Sequence, residues 1–169
     1  MATQETLVSE AEYLAYSGKP NCEYFDGVMV PKAMGTRKHA KIQWWLCQLL
    51  NERAAEFEPL SEQTVRLREG KWLVPDVAVQ RLDAIQDPYP ELPIHLCVEI
   101  LSPGDRLGET LAKGEAYHDW GVPYFWVVDP ETRQAWSYAK GGRPVEVPAD
   151  GELTAGEISI SMVEIFSVF

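Results

Sequence analysis

Two carboxylates stand where carboxylates are rare. Asp76 lies in Val74-Pro75-Asp76-Val77-Ala78-Val79, and Glu99 in His95-Leu96-Cys97-Val98-Glu99-Ile100-Leu101-Ser102-Pro103. Each sits in an apolar run of strand length beside a proline-marked turn. An ionised carboxylate buried without partners is very costly, so each needs a cation or hydrogen-bond donors. If the two strands are neighbours, both side chains reach one spot. Their repulsion then forces one to protonate or a cation to bind. Oxygen ligands at that density suit magnesium or manganese, which keep several waters and take one or two protein carboxylates. The structural alternative is that each acid pairs with an arginine or caps a loop.

A lysine belongs with them. Lys113 lies on the helix that follows the Glu99 strand and shares a face with Tyr117 and Trp120, at four- and three-residue steps. Its local partner would be Glu109, an i,i+4 pair worth about 0.3–0.5 kcal/mol on an exposed helix. The alternative has Lys113 reach into the carboxylate pocket. There an ammonium would orient a water nucleophile or stabilise charge developing on a phosphate. Spacing leaves both open.

The elements that must position these groups can be traced along the chain. Ser9 and Glu12 form a capping box that opens a short helix, which Gly18-Lys19-Pro20 ends. Asp26-Gly27 between β-formers reads as a hairpin turn. A helix from Thr36 to about Glu56 carries Ile42, Trp45, Leu46, Leu49 and Leu50 on one apolar face, with Glu58-Pro59 as its stop. Strands follow at Gln63–Arg68, at Trp72–Gln80 with Pro75 as an interruption, and at Ile94–Leu101. A helix over Glu109–Trp120 ends at Gly121-Val122-Pro123, and Tyr124–Asp129 is the next strand. Trp136–Tyr138 and Pro144–Val147 read as an antiparallel pair, and the tail Glu157–Phe169 as containing a short edge strand. Strand, helix, strand over 94–129 is a crossover that sets two strands parallel. The sum is an α/β domain with a mixed central β-sheet flanked by helices.

Composition bounds the function. The 169 residues are 46% hydrophobic and 24% charged, which is one globular domain over 1–169. No run approaches the roughly 18 apolar residues of a membrane span, and the first residues lack the basic and apolar segments of a signal peptide. Cys22, Cys47 and Cys97 match no zinc spacing and read as reduced core residues of a cytoplasmic protein. The net charge of -11 counts against a general nucleic-acid coat protein. It leaves room for an enzyme that meets DNA through a local basic face or through a metal held by carboxylates. His39, His95 and His118 are too scattered for a metal triad; His39, at a helix start, is the one placed to contact phosphate. There is no glycine-rich phosphate loop and no nucleophile elbow.

Taken in order, these motifs resemble a known family. Pro75-Asp76, Glu99, Ser102-Pro103, Lys113, Tyr117 and Gly121-Val122-Pro123-Tyr124-Phe125-Trp126-Val127-Val128-Asp129-Pro130 are similar to the Uma-two family, as are Glu23-Tyr24-Phe25-Asp26-Gly27 and His39 upstream. These bacterial proteins, abundant in cyanobacteria, are assigned to the PD-(D/E)XK nuclease superfamily. The resemblance covers Tyr13 to Tyr138 and implies a restriction-endonuclease-like core. It implies Asp76 and Glu99 as metal ligands, the Ile100 carbonyl as a further metal contact, Lys113 as the catalytic lysine and Glu23 as an additional acid. Its cofactor would be magnesium or manganese.

One position departs from the pattern. The superfamily places lysine two residues after the second acid, on the same strand face. Here that residue is Leu101, and Lys113 on the next helix is the candidate replacement. The expectation is a magnesium-dependent endonuclease acting on DNA, as a homodimer with the tryptophan-rich helix at its contact. The rivals are a nuclease fold that binds or assembles without cutting, and an enzyme for another phosphate ester.

Overall fold

The computed structural model describes residues 7–169; residues 1–6, part of the stretch read as lacking a signal peptide, lie outside it. In chain order the elements are α1 (Glu10–Leu14), β1 (Cys22–Phe25), β2 (Val28–Pro31), α2 (Arg37–Arg53), β3 (Phe57–Ser61), β4 (Val65–Arg68), β5 (Lys71–Leu73) and β6 (Val77–Arg81). Then come β7 (Leu96–Ile100), α3 (Leu107–Trp120), β8 (Tyr124–Asp129), β9 (Gln134–Ala139), β10 (Val145–Glu146), β11 (Glu152–Ala155), β12 (Ile158–Ser161) and α4 (Met162–Phe166).

A six-stranded sheet in the order β10-β9-β8-β7-β6-β3 forms the centre. It is mixed as the sequence implies: β7 and β8 run parallel across the α3 crossover, and the other neighbours are antiparallel. One face packs on α2, the β11–β12 hairpin and α4, through side chains such as Ile42, Leu46, Leu50, Trp126 and Ile160. The opposite face packs on α3 through Tyr117, Phe125 and Val127. A smaller sheet, β2-β1-β5-β4, comes from the N-terminal third. Tyr13, Cys22, Tyr24 and Trp72 form its own core against α1. Among the described residues, no helix is long and apolar enough to cross a membrane.

Three boundaries differ from the sequence reading, each for a physical reason. The run Trp72–Gln80 is not one strand. Proline has no N–H for a ladder, and at Val74-Pro75-Asp76 the chain leaves β5 in the small sheet and enters β6 in the central one. Asp76 therefore precedes β6 rather than lying within a strand. Glu58-Pro59 does not stop α2, which ends at Arg53; Pro59 sits in β3, an edge strand, where a missing donor is tolerated. The tail is a β11–β12 hairpin turned at Gly156 and followed by α4, whose Ser161 and Glu164 form a capping box.

Helix α3 approaches the sheet unusually closely at Gly114, the residue after Lys113. A Cβ at that position would overlap the ring of Phe125, which is fully buried on β8. Alanine would favour the helix by about 1 kcal/mol, but overpacking a fixed ring costs about 1–3 kcal/mol. Gly114→Ala is expected to destabilise the fold by about 1–2 kcal/mol, read as a lowered urea midpoint with unchanged slope. A raised midpoint would show that this glycine does not set the helix–sheet spacing.

Candidate active site

The antiparallel pairing of β6 and β7 brings the two carboxylates together. Val77 pairs with Val98, so Asp76 and Glu99 come one step beyond the last pair, facing each other. They are 2% and 7% exposed, so neither is solvated as a surface acid would be. The Asp76 carboxylate accepts from three donors: Lys32 Nζ on Oδ1 at 2.7 Å, the Ile100 N–H on Oδ2 at 2.7 Å, and His39 Nε2 against Oδ2 at 3.2 Å. Its main-chain oxygen accepts from the Gln43 side chain at 2.8 Å and from the Glu62 N–H at 3.1 Å. Helix α2 thus clamps this turn with His39 and Gln43, one helical turn apart.

Lys113 reaches the carboxylates. Its Nζ lies 2.7 Å from Glu99 Oε1 and 2.5 Å from Glu23 Oε1. Its local partner on the sequence reading, Glu109, pairs with Arg106 instead. One turn further along α3, the Tyr117 hydroxyl donates to the same Glu99 Oε1 at 3.0 Å. Both contacts fall on Oε1 and neither on Oε2. Glu23 Oε1 also accepts from the Val74 N–H at 3.0 Å. Lys113 therefore joins β1 of the small sheet to β7 of the central one.

The electrostatics follow from burial and charge. Burial raises the Glu99 carboxyl to about 7; the Lys113 ammonium opposes this, while Asp76 and Glu23 add to it. Burial pushes Asp76 the same way, but the His39 hydrogen bond and the Lys32 charge outweigh it and hold Asp76 well below the usual carboxylate range. Lys32 and Lys113 are both raised: desolvation disfavours their charge, and the surrounding carboxylates more than restore it.

These groups line a cleft of about 490 Å³, walled also by Ser102, Asp105, Arg106 and Thr110 at the start of α3. That volume suits a small ligand or a segment of a larger one. Asp76, Glu99, Lys113, Glu23 and His39 all converge here, and Ile100 enters through its N–H to Asp76. His95 and His118 lie elsewhere, packed against aromatic rings. The three cysteines are free, with Cys22 and Cys97 buried.

Two side chains that hydrogen-bond Asp76, those of Lys32 and Gln43, are not singled out by the sequence. Gln43 could have been found, since it follows His39 by four residues on one helix face. Lys32 could not: it follows a hairpin strand with no periodicity to mark it.

Among the described residues, no group of three or more His, Cys, Asp and Glu side chains is arranged to hold a metal alone. The donor set nevertheless fits a hard divalent ion. Asp76 and Glu99 bring carboxylate oxygens, and Glu99 Oε2 is used by neither Lys113 nor Tyr117.

Comparison with known proteins agrees with this geometry at the level of family and fold. The family model "Uma2: Putative restriction endonuclease" matches residues 10–165. A crystal structure from Anabaena variabilis, described as that of "a putative nuclease belonging to DUF820", superposes with a TM-score of 0.81. The alignment covers 95% of this chain and 98% of that one at 19% identity, a likeness that shows the fold. No curated protein matches the chain.

Proposed function

The chain belongs to the Uma2 family, and from that premise we propose that it is a divalent-metal-dependent phosphodiesterase acting on DNA. The observation that carries the reading is the convergence of Asp76, Glu99 and Lys113 in one cleft. Asp76 and Glu99, with the Ile100 carbonyl, would hold magnesium or manganese. Such an ion supplies a Lewis acid for the phosphate and lowers the pKa of a bound water.

The chain's own residues do the rest. Lys113 presents an ammonium at the cleft, where it orients the attacking water or neutralises charge on the phosphate oxygens. Tyr117 fixes Glu99 and Glu23 fixes Lys113, so neither needs to reorganise during the reaction. His39 holds Asp76 and is the imidazole that a phosphate entering the cleft would meet.

A local basic face supports DNA as the substrate despite the net charge. Arg37, Lys38, Lys41 and Arg133, with one acid, Glu131, line a groove of about 360 Å³ at the start of α2. The first turn of α2 holds Arg37 and Lys38 and no acid. Cations there oppose the helix dipole; Lys38 pairs with Glu131 across the groove, and Arg37, Lys41 and Arg133 are the cations placed to meet a phosphate backbone. A cytoplasmic setting matches that substrate. We also propose a homodimer, with Trp44, 55% exposed on α2, at the contact; light scattering that gives the mass of one chain would count against it.

Lys113→Ala is expected to lower cleavage of supercoiled plasmid in magnesium or manganese by at least about 100-fold, with binding of the metal retained. Wild-type protein inactive on supercoiled, linear and single-stranded DNA with both metals would sink the enzymatic reading.

The engagement of Asp76 by three donors favours one second reading, a nuclease fold that binds without cutting. Calorimetric titration separates the two: no uptake of magnesium or manganese at millimolar concentration by the folded protein would select the binding module.

A further inference from the structure

Lys32 is the second lysine of the cleft and the one the mechanism above does not use. Its side chain is 14% exposed, and its ammonium is 2.7 Å from Asp76 Oδ1 and 2.6 Å from the Val74 carbonyl oxygen. With the Ile100 N–H and His39 on Oδ2, it fills three of the roughly four acceptor sites of the Asp76 carboxylate. The Lys32 ammonium is the donor on Oδ1, so a metal ion that takes this oxygen competes with it. The Ile100 N–H is fixed in β7 and His39 is buried on α2. Lys32 lies outside any helix or strand, on a flexible four-carbon stem. It is the partner free to leave.

We propose that Lys32 is a built-in counter-ion that holds Asp76 in the metal-free protein and yields it when a divalent cation binds. This rests on the metal-dependent reading above. Lys32 then sets the metal affinity by competition, and the preformed site is kept without an uncompensated buried charge.

The test is calorimetric titration with manganese alone, at neutral pH, on wild type, Lys32→Met and Lys32→Gln, with circular dichroism to show that each is folded. Both variants are expected to bind manganese at least about tenfold tighter than wild type, a change of about 1.4 kcal/mol. A merely structural role for Lys32 would weaken binding instead. Lys140→Met removes the same charge at an exposed position after β9 and should leave the affinity unchanged. In the unmutated protein, acetylation of Lys32 by an amine-acylating reagent, followed by mass spectrometry, should rise when manganese is added. Equal or weaker binding by both variants, or unchanged acetylation in manganese-loaded wild type, overturns the proposal and leaves the metal reading standing. Failure of wild type and both variants to bind manganese overturns both.

Discussion

Asp76→Asn is expected to abolish metal-dependent DNA cleavage and to destabilise the protein at the same time. The first effect follows from the loss of the negatively charged ligand, and should exceed about 10³-fold, roughly 4 kcal/mol of barrier. The second follows from what the carboxylate holds. It accepts from Lys32, His39 and the Ile100 N–H. An asparagine has one oxygen and one NH₂ for those positions, so one donor must face another. Lys32 is then left buried without its counter-charge, and breaking a buried pair in this way costs about 3–5 kcal/mol. Plasmid nicking and urea denaturation measure the two effects separately. Because Asp76 is held well below its ordinary value, its contribution is present at neutral pH and lost as the pH falls below about 4. The stability gap between wild type and Asp76→Asn should therefore narrow in acid. A variant that cuts within tenfold of wild type, or that is as stable as wild type at neutral pH, would remove Asp76 from its assigned place.

Glu99→Gln should separate the two properties that Asp76→Asn loses together. Cleavage should again fall by about 10³-fold or more, since the ligand charge is gone. Metal-free stability at mildly alkaline pH should rise. The sign follows from the Glu99 carboxyl, which burial raises to about 7 in the folded protein from 4.5. The native state then holds this proton more tightly than the unfolded chain, so ionisation works against folding. The penalty is absent below the unfolded value, grows through the interval up to about 7, and is complete above it. Glutamine removes it while its amide oxygen still accepts from Tyr117 and Lys113, and Lys113 keeps Glu23. The expected gain at about pH 8 is about 2–3 kcal/mol, shrinking towards zero at about pH 5. Thermal melts in chelator at both pH values read it. A lower midpoint for Glu99→Gln at the alkaline pH would mean that Glu99 is fully compensated by its neighbours.

The parts of this design that were legible in the sequence are those with a local signature. A carboxylate in the β-branched run of β7 is visible because apolar strands of that length seldom contain one. The parallel pair β7–β8 follows from strand, helix and strand in immediate succession. The face of Lys113 and Tyr117 follows from their spacing on one helix, although only the packing of Gly114 on Phe125 shows how far that face reaches. What escaped depends on residues distant in the chain. Lys32 meets Asp76 because the small sheet folds back over the Pro75 turn, a juxtaposition no local window contains. Pro59 is a similar case: a proline that would break a helix is harmless on a sheet edge, and sequence does not say which strands are edges. The β11–β12 hairpin is short, and it packs on α2, which lies far earlier in the chain.

The bridge from Glu23 through Lys113 to Glu99 also has a meaning in time. Synthesis delivers Glu23 and Lys32 first, then Asp76 and Glu99, and Lys113 last, after the strand it serves. Contacts between such distant positions carry a large closure entropy and form late. A ribosome-bound chain that ends before α3 holds the acids without the helix that completes the cleft. A protein built this way completes its cleft only once α3 has emerged from the ribosome.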